Sequence, residues 1–269
     1  PNTALGDAAF QIGTSNYLAN TVIPMLPHQL SNGICSLNEG EIRLTMSCVM
    51  TINPKGKVID YDIFESYIKS SKKMTYEKVN DILMRDIVAK DYEPFKETLL
   101  KMNELAHILR KEKMSRGYID FDLDEPEVIQ DENGRAIDIV RVEREDGEKM
   151  IEDFMIAANE AVASHIYNMD LPFIYRVHGK PNSEKIEDFT NLLKALGYQF
   201  QTKVYDLTPI PLQRILKELN DKPEFSILSS MLLRSMRKAE YSKENIGHFG
   251  LASKAYTHFT SPIRRYPDL

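Results

Sequence analysis

Only two cysteines, Cys35 and Cys48, occur in the 269 residues. Their spacing matches no metal-ligand pattern, so a reduced, cytoplasmic setting is expected. No apolar run approaches the roughly 18 residues that a membrane span needs. No charged-then-apolar leader opens the chain, so no export signal is visible. Repeats, low-complexity tracts and flexible linkers are missing as well. A net charge of −6 argues against a chain-wide electrostatic grip on a polyanion. What remains is the composition of an ordinary globular protein, 42% apolar and 28% charged, long enough to bury a full core.

The charge is unevenly spread. Between Asp120 and Asp153, fourteen acidic residues face four basic ones, most of them expected to form a solvated face. Asp120, Asp122 and Asp124 alternate along an extended segment but lack the Gly and terminal Glu of a calcium loop. Between Arg234 and Leu269 the balance reverses, with seven basic residues against three acidic ones. An acidic protein can therefore carry a basic pocket.

Periodicity supplies the elements. Ile42, Leu44, Met46, Cys48, Met50 and Ile52 alternate with Arg43 to Asn53, which predicts a strand with one buried face and its Met and Cys side chains in the core. Asn53-Pro-Lys-Gly56 turns it into a second strand near 57–65. Helical spacing follows from Tyr76 to Leu83, from Phe95 to Leu109 with Gly117 as the stop, and from Ile151 to Ile166. Phe173 to His178 reads as a short buried strand. Asn182 or Ser183 caps a helix with Ile186, Phe189, Leu192, Leu193 and Leu196 inside, and helices at 212–219 and 225–239 complete the core. Asn133-Gly134 marks a hairpin. Hairpins mixed with helices, without βαβ alternation, predict a single α+β domain over residues 1–269.

The end of the chain is the most informative stretch. In Thr260-Ser261-Pro262 the serine suits an N-cap and the proline the first helical position. Arg264 and Arg265 would then lie in the first turn, where the macrodipole disfavours cations unless an anion sits there. Tyr256, Phe259 and Tyr266 flank them, a pattern suited to a phosphate-bearing polymer. His248 and His258 invite an acid–base role, but packing is the commoner use of such histidines.

His248-Phe-Gly-Leu251 and Thr260-Ser-Pro-Ile-Arg-Arg-Tyr266 resemble the hallmark of the RNB catalytic domain of the ribonuclease II and ribonuclease R family of 3′→5′ exoribonucleases. Gly13-Thr-Ser-Asn-Tyr-Leu18, Ile23-Pro-Met-Leu-Pro27 and Leu30-Ser-Asn-Gly-Ile-Cys-Ser-Leu37 resemble the same domain, and the likeness runs the length of the chain. It implies an RNB-type fold, single-stranded RNA as partner within an RNA-degradation machinery, magnesium as cofactor, and hydrolysis to nucleoside 5′-monophosphates. Arg264 matches the catalytic arginine that neutralises the scissile phosphate. Tyr17 matches the tyrosine that clamps the 3′-terminal base, and Phe121 the phenylalanine at the far end of the stacked bases. Tyr76 and Glu152 match positions that read the ribose 2′-hydroxyl. Ser261 and Arg265 are counted with the RNA-binding residues, Arg265 as a backbone contact or a brace.

One departure stands out. The family's magnesium-binding cluster, an Asp followed by Asp-x-Asp-Asp, has no counterpart, since Asp7 stands alone before Tyr17. No metal ligand is therefore assigned, and the chain is expected to be the inactive, excised portion of an exoribonuclease. The rivals are a non-catalytic RNA-binding fragment or pseudo-enzyme, and a protein-interaction domain acting through the acidic face.

Overall fold

The computed structural model describes residues 3–19, 21–121, 125–200 and 206–269. The chain divides into two compact units, residues 1–109 with 124–161 and 258–269, and residues 110–123 with 162–257. Asp122 and Asp124 of the acidic alternation lie outside the described residues.

The first unit opens with α1 (Ala4–Ile12), capped by the Thr3 side chain, which accepts from the Gly6 N–H. A short hairpin, β1 (Asn16–Tyr17) with β2 (Val22–Ile23), follows. The long hairpin is β3 (Ile42–Ile52) with β4 (Val58–Lys69), antiparallel from Ile42–Lys69 to Ile52–Val58. Its turn is built by Asn53, whose side-chain oxygen accepts from the Lys55 and Lys57 N–H groups, and by Gly56 at φ 79°. Three helices supply this unit's main core: α2 (Tyr76–Arg85), α3 (Lys96–Arg116) and α4 (Asp146–Asn168). Val79, Ile82, Tyr92, Leu99, Ala106 and Met150 interlock there. Tyr92 is 1% exposed, and its buried hydroxyl accepts from the Thr75 N–H at 3.1 Å, as a buried polar group requires. Between α3 and α4 runs the hairpin β5 (Glu125–Gln130) with β6 (Ala136–Val142). Its Asn133-Gly134 turn forms as the sequence implies, with Gly134 at φ 77° and Asp131 accepting from Asn133 and Arg135.

The second unit is built on α5 (Ser183–Ala195), α6 (Pro209–Leu219) and α7 (Phe225–Ser235). Ile186, Phe189, Leu193, Leu212, Leu219, Leu228 and Leu232 are fully buried among them. Asn182 caps α5 by accepting from the Lys185 N–H. The strand β7 (Tyr175–Val177) pairs antiparallel with β8 (Glu240–Ser242), and α7 stops at Ser235 rather than at 239, the backbone turning extended at Met236. Gly117 ends α3 at φ 102° with its Cα packed on Ile210 of α6.

Three expectations are corrected. The alternating face of β3 is not buried along its first half: Ile42, Leu44 and Met46 are 63, 89 and 52% exposed, with Tyr67 opposite Leu44 at 74%, whereas Cys48, Met50 and Ile52 further on are half-buried, with Val49 and Thr51 exposed between them. In that first half the half-buried face is the polar one, where Thr45, Ser47 and Ser66 share hydroxyl hydrogen bonds of 2.6 to 3.4 Å. Period two reveals a strand, but which face is covered depends on what packs against it. Leu196, expected inside, is 45% exposed because α5 ends at Ala195 and Gly197 turns the chain away at φ 88°. Finally, no helix begins at Ser261. Residues 262–264 form a turn followed by a 3₁₀ segment, Tyr266–Asp268.

A Cβ on Gly117 would lie 2.8 Å from the Ile210 side chain and 3.0 Å from its backbone nitrogen, at a φ disfavoured for L-residues. Gly117→Ala should therefore lower the unfolding free energy by about 2 kcal/mol or more in a urea titration, and a loss under about 0.5 kcal/mol would contradict this packing.

Candidate functional site

The turn at 262–264 forms because its backbone is drawn elsewhere. Both the Arg264 and Arg265 N–H groups donate to the Ser261 carbonyl, at 3.2 and 3.1 Å, which closes one turn only. The Arg264 carbonyl then accepts from the Ser15 N–H at 2.9 Å and from the Thr14 hydroxyl at 3.0 Å, across 250 residues of sequence. Thr14 and Arg265 form an antiparallel bridge, and the Tyr266 N–H donates to the Gly13 carbonyl at 2.9 Å. A helix through these residues would need the same groups for itself, so the long-range pairing wins. The macrodipole argument for the two arginines falls with the helix.

Side chains lock this crossing. Ser15, 8% exposed, accepts from the Met25 N–H through its hydroxyl at 2.9 Å. Ala9, Met25 and Leu26 pack beneath, with Leu30 and Tyr266 against them. Phe10 meets the Tyr266 ring edge-on at 5.3 Å. The Asp268 carboxylate, whose side chain is wholly buried, accepts from the Ser261 N–H at 2.8 Å. The same group takes two donors from Arg265, Nε and Nη2, both at 2.9 Å. Such a bidentate pair is strong and geometrically specific.

The two arginines therefore differ. The Arg265 guanidinium is held by Asp268, as the bracing alternative for it implied. Arg264 is exposed, and among the described residues its guanidinium has no ion pair. Tyr17 stands on β1, 63% exposed, two residues past the backbone that binds Arg264. Ser261 is 8% exposed and contributes its backbone to the turn. The paired blocks thus bring an outward cation and an outward aromatic ring into one neighbourhood.

The other candidates sit apart in sequence. Tyr76 is the first residue of α2 and 48% exposed. Glu152 lies in the second turn of α4, not at its start, and its carboxylate accepts from Arg144 at 2.9 Å. Phe121 belongs to the second unit and rests half-buried against the Ile186–Phe189–Leu193 core. His178 and His248 meet at a tilt of 50° with ring centroids 5.0 Å apart in that same unit.

Acidic residues gather elsewhere. Glu77, Asp81, Glu143, Glu145 and Glu148 line an open cleft with Arg85 and Arg141. Arg85 is tied to Glu145 and Asp81, and the Glu145 carboxylate raises the guanidinium's already high pKa. This surface repels phosphate. Among the described residues no three His, Cys, Asp or Glu side chains assemble to hold a metal.

Sequence reading missed Asp268 as a clamp and Thr14 as the arginine's anchor. An Arg-x-x-Asp spacing was the available signal for the first; the second depends on a tertiary pairing and carried none.

Two blocks at opposite ends of the sequence, paired through their backbones and presenting Arg264 and Tyr17, define an RNB-type domain. The chain belongs to the RNB domain family, which it matches over residues 1–269. It is 53% identical to ribonuclease R of Thermotoga maritima over 99% of its length and 38% of that protein. It is 46% identical to ribonuclease R of Ureaplasma parvum over 100% of its length and 39% of that protein. The structure of Mycoplasma genitalium RNase R in complex with ribose-methylated single-stranded RNA superposes with a TM-score of 0.95 at 32% identity, covering 100% of this chain and 42% of that one. The chain spans about two fifths of the length of these relatives.

Removing the clamp should unfold the crossing. Asp268→Ala leaves the Ser261 N–H and a largely covered guanidinium without their acceptor, at a cost of about 3 kcal/mol. Chemical denaturation checks this, and an unchanged midpoint would show that Asp268 braces nothing.

Proposed function

We propose that this chain is the RNA-holding, phosphate-neutralising part of a cytoplasmic 3′→5′ exoribonuclease that hydrolyses single-stranded RNA to nucleoside 5′-monophosphates. The observation that carries the reading is the exposed Arg264 guanidinium, on a turn tied to Thr14 and Ser15 two residues from an exposed Tyr17. An arginine whose own carbonyl and flanking residues are immobilised can offer its fork to a phosphate at little entropic cost. A neighbouring ring gives the adjoining base a stacking surface that tolerates any sequence. The RNA-bound relative from Mycoplasma genitalium supports RNA as the ligand. In this reading Arg264 stabilises charge developing on the scissile phosphate, Tyr17 stacks on the terminal base, and Phe121, in the other unit, offers a further stacking surface. Tyr76 and Glu152 sense the 2′-hydroxyl, with Arg144 orienting the Glu152 carboxylate.

Magnesium would be held by a set of carboxylates, and no such set comes together among the described residues. The described residues do not fit the ion. Hydrolysis is accordingly proposed for the whole enzyme, and this chain is proposed to bind RNA without cleaving it. Magnesium-dependent release of monophosphates by the purified 269-residue chain would overturn that. Joining an Asp-x-Asp-Asp segment ahead of it separates a truncated enzyme, which recovers hydrolysis, from a pseudo-enzyme, which stays inert.

Arg264→Ala should weaken oligo(A) binding and lower the slope of log affinity against log salt by about 1, with the melting temperature unchanged because the side chain braces nothing. Tyr17→Ala should cost about 1–3 kcal/mol of binding without altering that slope. Fluorescence anisotropy across a salt series reads both. Weak, salt-insensitive binding by the unaltered chain would instead favour a protein-interaction role.

A further inference from the structure

His178 ends the strand that carries Tyr175 and Val177, and it is buried at 9% exposure. Both ring nitrogens are used. Nε2 lies 2.7 Å from the Arg237 carbonyl, which can only accept. Nδ1 lies 2.9 Å from the Gly250 N–H, which can only donate. Only one neutral tautomer satisfies both partners: the proton sits on Nε2 and the lone pair on Nδ1. The fit is close, since a Cβ on Gly250 would lie 3.1 Å from Nδ1. The peptide that this imidazole holds has a second partner. The Gly250 carbonyl accepts from the Ile119 N–H at 2.9 Å. Ile119 is 5% exposed, and Phe121, two residues on, packs against the same cluster, as does Phe249. A continuous chain of contacts thus runs from the His178 ring through the Gly250 peptide to the backbone that carries Phe121.

We propose that His178, fixed as the Nε2–H tautomer, is a positioning residue for the Phe121 stacking surface, releasing the 119–121 segment when the imidazole is protonated. The stacking role of Phe121 rests on the function proposed above; the link from His178 to Ile119 does not. Protonation places a second N–H on Nδ1, facing the Gly250 N–H. Two donors then oppose each other at a distance where one hydrogen bond had been, and the loop from His248 to Ser253 must shift. The surroundings disfavour that charge. The charged and titratable residues beside the ring are Arg176 two residues back, Arg237, whose carbonyl meets Nε2, and His248, whose ring is 5.0 Å away on the loop. Burial is the main cause that lowers the His178 pKa; the Arg237 carbonyl opposes it, and the Arg176 charge adds a smaller lowering. A folded-state value below the unfolded one means that the unfolded chain binds the proton more readily. The stabilisation is present above the ordinary histidine range and is lost as pH falls through that range toward the lowered folded value.

The experiment compares the 269-residue chain with His178→Asn and His178→Gln between pH 5 and pH 8. The Asn side-chain oxygen can replace Nδ1 as acceptor for Gly250, whereas the Gln amide can replace Nε2 as donor to Arg237, and neither titrates. Amide hydrogen exchange at Ile119, corrected for the intrinsic pH dependence, should lose about tenfold or more protection in the unaltered chain at the acid end. It should stay flat with pH in both variants, protected in His178→Asn and unprotected in His178→Gln. Imidazole nitrogen shifts should report the Nε2–H tautomer at pH 8. Ile119 protection that is flat with pH in the unaltered chain, or equal in the two variants, would overturn the proposal. Oligo(A) binding read in parallel should fall with Ile119 protection. Binding unaffected while Ile119 opens would refute the link to Phe121, whereas absence of binding at every pH would refute the RNA reading and leave the tautomer result standing.

Discussion

The arrangement depends on a backbone pairing made across almost the full length of the chain. Gly13, Thr14 and Ser15 hydrogen-bond Arg264 and Tyr266, and Asp268 closes the turn from inside. Ordering two segments so far apart costs loop-closure entropy that grows only slowly with separation. Once met, the ends are held by several backbone hydrogen bonds, a buried carboxylate and the Phe10–Tyr266 edge contact. Neither block would keep its conformation alone: residues 262–266 would be free to begin a helix, and β1 is only two residues long.

Electrostatics then separates structural charge from offered charge. Arg265 and Asp268 neutralise each other within the turn, while Arg264 next to it stays exposed. A similar division holds on the acidic side, where Arg85 is absorbed by Glu145 and Asp81 and Glu148 accepts from the Asn80 amide, while Glu77 and Glu143 stay exposed. A protein of net charge −6 can in this way attract a phosphate at one place and repel it at another, which favours a defined register over diffuse association.

Much of the fold was legible in the sequence. The α5 helix, with Asn182 at its cap and Ile186, Phe189 and Leu193 inside, follows from helical period and capping chemistry. So do the Asn133-Gly134 and Asn53-to-Gly56 turns. Local rules failed where tertiary demand overrode them. Ser261-Pro262 carries a sound helix-start signal, but its backbone is claimed by residues 250 positions away and by the Asp268 carboxylate. The long hairpin has the period of a strand, yet its apolar face is open from Ile42 to Met46 and half-covered only from Cys48 to Ile52, because alternation fixes the two faces and not which one is packed. For the site, residue type and resemblance named Tyr17 and Arg264, and the crossing joins their backbones. The clamp, Asp268, and the arginine partner of Glu152 were not foreseen, because ion pairs between side chains of ordinary spacing leave no distinctive mark in composition.

The central claim is that the crossing makes Tyr17 and Arg264 parts of one ribonucleotide site. A double-mutant cycle on oligo(A) affinity, using the two alanine substitutions singly and together, tests it most directly. Residues gripping the same terminal nucleotide should show a coupling of about 0.5 kcal/mol or more. Strict additivity, within about 0.3 kcal/mol, would mean that the ring and the guanidinium serve separate sites, and the account would fail.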